Sequence, residues 1–184
     1  MSAGRCGLLL AAATALAPLV AYAADLPGWD RTRWGMTSPE IARLYRGRAV
    51  TLSGHIDFNR LYTDVALRKE PFAGHDFTVY FQMDDRTGRL AQVLLERRRQ
   101  YATPAVWRDV LAALDRAFGA ATRSCERHGH PLAGEPQVSE RDWVLSTTTV
   151  HASYLDFGNG ERSELSRRLL IRYAPTQRAA AACR

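Results

Sequence analysis

The hydrophobic pattern changes twice from a helical to a strand-like period along this chain, and this change constrains the fold more than any other feature. After a short helical segment that ends at Gly47, apolar and polar residues alternate from Val50 to Ile56 and again from Phe77 to Met83. Alternation of this kind predicts strands with one buried face. A second helical segment begins after Thr103, and strand-like segments follow it. The order therefore predicts two units, each with a helix followed by strands.

Ser38 and Pro39 predict the start of the first helix, because serine caps helix N-termini and proline suits the first helical turn. Gly47 predicts its end. A helix this short is not stable in isolation. We therefore expect it to be docked on a sheet, with Trp29 and Trp34 as the large apolar anchors in front of it.

The second helix has a clearer pattern. Thr103 and Pro104 repeat the cap and proline, and an apolar stripe at helical spacing runs from Trp107 to Phe118. Gly119 predicts the end of the helix. Trp107 is the expected anchor of this helix.

The strand pattern divides the mature chain into two units. Residues 24–100 carry about four antiparallel strands, with Gly88 in a hairpin turn, and residues 101–184 carry two or three strands after a predicted loop over 120–141. We predict an α+β fold of two helix-then-antiparallel-strand units, with the helices packed on one face. The strands form either one sheet or two, and the second unit is either separate or shares one core with the first.

Residues 1–23 predict a cleaved signal peptide. Arg5 precedes an apolar segment over 7–20, and Ala21-Tyr22-Ala23 has the small residues that signal peptidase requires. The segment is shorter than the about 20 residues that span a bilayer. Cys6 lies at its start, whereas a lipoprotein needs a cysteine at its end. We expect a periplasmic protein that begins at Ala24 and has no transmembrane segment after cleavage.

The chain carries a formal net charge of +6, and Lys69 is its only lysine. Charge of this kind is typical of ordinary solvated surface. Because nucleic acid is not expected outside the cytosol, the alternative ligands of this arginine-rich surface are anionic envelope polymers or an acidic protein face. We predict a protein partner in the envelope and no nucleic-acid binding.

Removal of the signal peptide leaves two cysteines, Cys125 and Cys183. In an oxidising compartment they predict a disulfide bond. The alternative is a zinc or copper site, because His128 and His130 follow Cys125 closely. A full ligand set with a recognised spacing is missing, so we predict no metal and no cofactor.

The polar faces of the predicted strands carry a histidine and three tyrosines. Tyrosines among small polar groups suit protein recognition, and one face of an antiparallel sheet is often left to solvent. The candidate binding face consists of His55, Tyr62, Tyr80 and Tyr154.

Three histidines are candidates for acid–base chemistry. His55 with Asp57 and His75 with Asp76 would form acid–base pairs, and His151 would add an imidazole from the second unit. The sequence contains no nucleophile elbow, phosphate-binding loop or two-histidine zinc motif. We predict no catalytic residue.

The segment from Trp29 to Gly47, W-x4-WGMTSPE followed by a short helix and a glycine, resembles the start of many small exported bacterial proteins of unassigned function. The helix-then-strands plan resembles BamE-like outer-membrane assembly modules and the tandem units of β-lactamase inhibitor protein. Those families bind proteins without catalysis. The resemblance implies a non-catalytic protein-binding or envelope-accessory protein. The alternatives are an inhibitor or immunity protein against a secreted enzyme and, from a different class, a small periplasmic hydrolase.

Overall fold

The computed structural model describes residues 27–98, 101–129, 135–158 and 166–176. The predicted signal peptide lies outside these ranges, within which no helix is both long enough and apolar enough to cross a membrane. The elements in chain order are α1 (Ser38–Leu44), β1 (Ala49–Phe58), β2 (Leu61–Phe72), β3 (His75–Asp84), β4 (Leu90–Arg97), α2 (Pro104–Phe118), β5 (Arg123–Arg127), β6 (Gln137–Val144), β7 (Thr148–Asp156) and β8 (Arg167–Pro175).

All eight strands belong to one antiparallel sheet with the order β1-β2-β3-β4-β8-β7-β6-β5. The two halves of the chain meet where β4 pairs with β8, and Leu95 lies opposite Ile171 there. The predicted α+β fold of two helix-then-strand units was wrong, because this single sheet dominates the described chain. The physical reason for the single sheet is that each half of the chain has an edge strand with unpaired backbone groups. Two separate four-stranded sheets would leave the backbone groups of apolar β4 and β8 unpaired, and their pairing satisfies these groups.

The hydrophobic core lies between this sheet and the two helices. One buried cluster includes Ile41 of α1, Val110 and Leu114 of α2, and sheet residues such as Phe81 and Ile171. The core therefore contains residues from both halves of the chain.

The start of α1 differs from the prediction by one residue. Thr37 is the N-cap. Its backbone N–H donates to Glu40 Oε2 over 2.7 Å, and its hydroxyl donates to the same oxygen over 2.8 Å. The prediction of Ser38 as the cap was wrong, because its hydroxyl instead donates to Asp64 Oδ1 of β2 over 2.7 Å. Ser38 therefore joins the helix to the sheet.

Trp29 and Trp34 join the segment before α1 to the end of α1 and to the sheet. The ring of Trp29 lies 6.3 Å from that of Tyr45 at the end of α1 and 6.0 Å from that of Phe81 in β3, between ring centroids. Half-buried Trp34 donates from Nε1 to Thr148 Oγ1 of β7 over 3.1 Å. The segment before α1 is thus joined to the second half of the sheet.

The second helix begins and ends as predicted. Thr103 is the N-cap of α2, and Gly119 follows the helix with a φ of 81°. In the first turn of the helix, Trp107 is stacked on Tyr154 of β7, with ring centroids 6.0 Å apart. These contacts hold α2 against the second half of the sheet.

The prediction of a loop over residues 120–141 was wrong, because β5 and most of β6 lie there. Charged and small polar side chains dominate these two strands, so they carry no hydrophobic alternation. Ion pairs across the strands join Arg123 to Asp142, and Arg141 to Glu126 over 2.8 Å. Polar contacts therefore replace the apolar pattern by which a strand is usually predicted.

Candidate functional site

One face of the sheet packs against the helices, and the opposite face carries many polar residues. Side chains of successive strand residues point to opposite faces. Tyr80, for example, points away from the helices because its neighbours Val79 and Phe81 belong to the core. We call this side the polar face, and its central residues are Arg68, Tyr80, Glu96, His151 and Arg172.

A groove of about 1120 Å³ lies on the polar face, between β1 and the end of β4. Its apolar lining includes Leu52 and Ile56 of β1 and the ring of Tyr80 in β3. Tyr101, after β4, also lines the groove and is 48% exposed. The groove is therefore an apolar depression that is open to a ligand.

A bulge in β1 forms one wall of this groove. The pairing of β1 with β2 shifts between Thr51 and Ile56, and residues 52–55 have no register partner in β2. Extra residues on one strand bend it away from its neighbour. The alternation predicted that Ile56 lies on the buried face of β1. This prediction was wrong, since Ile56 is 40% exposed in the groove wall.

A second bulge, in β2, brings positive charge to the groove. Arg68 and Lys69 are consecutive residues, yet both line the groove. In a regular strand they would point to opposite faces. The register shifts between Leu67 and Glu70, and Lys69 has a φ of 54°. This conformation is uncommon for a residue other than glycine, and it permits the two cations to share one side.

The groove lining has more cations than carboxylates. Its four cations are Arg68, Lys69, Arg97 and Arg98, and its two carboxylates are Asp76 and Glu96. An excess of cations in a concave site attracts anionic ligands.

These charged groups differ in their partners. Arg97 Nη1 donates to the carbonyl oxygen of Asp76, and Arg97 Nε donates to that of Tyr101 over 3.4 Å. Glu96 lies 3.7 Å from a nitrogen of Arg168. The other three cations, Arg68, Lys69 and Arg98, form no ion pair with any described residue.

The pKa of the Tyr80 hydroxyl is changed by the charged groups that surround it in the groove. Burial raises the pKa of Tyr80, and the carboxylate of Glu96 raises it further, whereas the charge of Arg68 lowers it. Tyr80 therefore stays a neutral hydrogen-bonding group at neutral pH, between one cation and one anion.

The structure does not bring all four residues of the predicted binding face together. Tyr80 lines the groove. The rings of His55 and Tyr62 are in edge contact with centroids 4.5 Å apart, and Tyr62 also packs against the core. Tyr154 is only 7% exposed and lies on the helix side, stacked on Trp107. The sequence of β7 predicts this position, because Tyr154 lies on the same face of the strand as Val150 and Ala152, which are buried.

A buried polar cluster lies on the same face in the second half of the sheet. His151 Nδ1 donates to Asp142 Oδ1 over 2.6 Å, and the two residues are 9% and 5% exposed. Arg123 forms an ion pair with the other oxygen of Asp142. Glu140 Oε1 lies 3.8 Å from His151 Nε2. The sequence singled out His151 alone, because the cross-strand register that unites these residues leaves no local signal.

In this cluster, charge pairing affects the pKa of Asp142 more than burial does. Burial alone raises the pKa of Asp142, but the hydrogen bonds and charges of His151 and Arg123 lower it below its usual value. For neighbouring Arg172, burial and the charge of Arg168 lower the pKa. Asp142 is thus held as a carboxylate.

Ser153 and Thr149 each lie two residues from His151 along β7, and Ser153 is the candidate nucleophile for this pair. It is buried on the same face as His151, and its Oγ has no hydrogen-bond partner among the described residues. A carboxylate on one imidazole nitrogen can orient histidine as a general base. The low exposure of Asp142 and His151 leaves little room for a substrate there.

Cys125 is a half-buried residue of β5 and carries a disulfide bond, whose partner lies outside the described residues. Cys183 also lies outside them, as does His130, so the Cys125–Cys183 pairing stays a prediction. In the ranges that the structure describes, no three metal-ligating side chains form a cluster.

No family model matches this sequence, and no curated protein or solved structure is significantly similar to it. What the chain does therefore has to be inferred from its own residues.

Proposed function

We propose that the protein is a non-catalytic binding module of the bacterial periplasm, exported by a cleaved signal peptide, that binds a partner protein in the groove of the polar face. The groove is the observation that carries this proposal. It places exposed apolar side chains, Ile56 and Tyr101, beside cations that form no ion pair with described residues. Apolar contacts at the centre with charges around them are typical of protein-binding surfaces.

The chemistry of the groove favours binding over catalysis. Covalent catalysis needs a nucleophile in hydrogen-bond contact with a base. Within the described part of the chain, no such bond is formed by a groove residue: Arg97 binds backbone carbonyls, and Glu96 faces Arg168. The groove therefore offers surface and charge rather than a reacting pair.

Site-specific crosslinking tests the proposal. A photoreactive amino acid replaces Ile56 in the groove or, as the control, exposed Arg108 on α2. We expect the groove position alone to capture one partner, which then forms a stoichiometric complex with the purified protein in calorimetry. Ile56→Asp should weaken that complex. Equal capture from both positions, or no complex with purified components, would contradict the proposal. If the partner is an enzyme and is inhibited in the complex, the inhibitor or immunity function follows.

A small hydrolase is the second candidate, and the Asp142–His151 pair is the observation that favours it. Ser153 supplies a hydroxyl on the same face. The test is turnover of chromogenic esters, which should be lost in both His151→Gln and Ser153→Ala. Turnover that survives both changes, or that is absent in the native protein, rules this candidate out.

A further inference from the structure

We infer that the groove takes an extended acidic segment of the partner, whose aliphatic side chains enter the groove and whose backbone pairs with the bulged part of β1. The inference rests on the proposed function and names the chemistry of its partner. Charge, apolar surface and the backbone of β1 each support it.

Charge selects an acidic occupant. Arg68 and Lys69 project into the groove from one bulge, and Arg98 lines it from the end of β4. Because these three cations form no ion pair with described residues, carboxylates of a ligand would bind them without displacing a carboxylate of the described chain. The carboxylates of Glu96 and Asp76 would attract a basic occupant, but the four cations of the lining outnumber them.

The apolar lining selects aliphatic side chains. The apolar part of the lining consists of Leu52, Ile56 and Ala66 together with the rings of Phe77, Tyr80 and Tyr101. Side chains of an extended segment alternate between its two sides. A segment of alternating acidic and aliphatic residues would place one set against Ile56 and the other toward the cations at the rim.

The backbone of β1 selects a peptide. β1 is an edge strand of the sheet, and its residues 52–55 have no register partner on the other side either. Residues 52–55 thus lie on the open edge of the sheet, in the strand that forms the groove wall. Extended peptides bind such edges through main-chain hydrogen bonds, and pockets for alternate side chains give specificity. At Gly54, an added Cβ would meet no atom within 4 Å, so the bulge has space around it.

The test uses a fluorescein-labelled nonapeptide of alternating Glu and Val, and its binding is measured by fluorescence anisotropy at low salt. We expect it to bind, and the same peptide with Lys in place of Glu not to bind. A third peptide carries N-methyl groups on alternate residues, which removes the N–H groups of one edge and keeps every side chain. Loss of binding by this peptide would show that the backbone takes part.

The protein variants locate the site. The double variant Arg68→Glu/Lys69→Glu should bind the acidic peptide about tenfold more weakly or worse, since four units of charge change beside it. The matched control is Arg108→Glu/Arg116→Glu, which changes the net charge equally on exposed positions of α2. It should retain binding. Circular dichroism checks that both variants are folded.

The outcomes distinguish a failure of this inference from a failure of the proposed function. Equal binding of the acidic and basic peptides, or an unchanged affinity in Arg68→Glu/Lys69→Glu, overturns the inference. So does binding of anionic phosphatidylglycerol vesicles without binding of the acidic peptide, because the ligand would then be a lipid. If the peptides fail while crosslinking at Ile56 still captures a stoichiometric partner, only the inference fails. If both fail, the proposed function fails with it.

Discussion

His151 and Asp142 form a hydrogen bond of 2.6 Å between neighbouring strands, on the side of the sheet away from the helices. Arg123 of edge strand β5 binds the same carboxylate. One aspartate therefore joins β5, β6 and β7. In this part of the sheet, the cross-strand contacts are ionic where most sheets have apolar pairs.

Asp142→Asn should destabilise the protein at pH 7 by about 3 kcal/mol, because it leaves Arg123 and His151 with a weaker partner in a buried position. The control is Asp156→Asn, whose partner Arg167 lies 3.0 Å away at a part-exposed site. That change should cost under about 1 kcal/mol. Urea unfolding measures both. Equal effects would show that burial adds nothing to the Asp142 pair.

The stability difference between wild type and Asp142→Asn should depend on pH. The pKa of Asp142 is lowered in the folded state. Its contribution is therefore fully present above the unfolded-state pKa of about 3.9 and is lost as pH falls through the folded-state value. We expect the unfolding free energies of the two proteins to converge below about pH 4. A difference that stays constant from neutral to acidic pH would contradict this assignment.

Trp107→Ala should lower the free energy of unfolding by about 3–5 kcal/mol, because it removes a buried aromatic ring stacked on Tyr154. Tyr154→Phe keeps the stack and removes a buried hydroxyl that has no hydrogen-bond partner among the described residues. It should be neutral or slightly stabilising. Thermal unfolding compares the two. A Trp107→Ala effect of under about 0.5 kcal/mol would place the ring at the surface.

Thr103→Ala should cost about 1 kcal/mol, because the Thr103 hydroxyl caps α2 by accepting the backbone N–H of Val106 over 3.3 Å. Thr103→Ser retains a capping oxygen and should recover most of that stability. Chemical unfolding of the two variants makes the comparison. A serine variant as unstable as the alanine variant would mean that the methyl group, rather than the cap, matters.

The predicted Cys125–Cys183 bond should appear in mass spectra of non-reduced protein as one linked pair of peptides. Its closure of a long loop should contribute about 4 kcal/mol in the chain-entropy model. The double variant Cys125→Ser/Cys183→Ser should lose stability and no longer respond to reductant. Free thiols on both residues, or a Cys125–Cys125 dimer, would refute the pairing.

Local signals in the sequence were enough for several elements. Thr103 and Pro104 predict the start of α2 and Gly119 predicts its end, because capping contacts join residues only a few positions apart along the chain. The alternation from Phe77 to Met83 predicts β3, because one of its faces is buried against the helices. Both patterns depend on residues that are close to one another in the sequence.

Only the tertiary structure decided how these elements combine. The β4–β8 pairing, the shift of register in β1 and the Asp142–His151 contact all join residues that local periodicity does not relate. The bulges in β1 and β2 depend on how two strands fit, and they turn Ile56 and Lys69 into the groove. Charged β5 is a strand because β6 supplies its partners. The sequence by itself determined the helices and the strands with hydrophobic alternation, because those preferences are local. Charged β5, the single sheet and its groove depend on which strands satisfy each other's backbone groups.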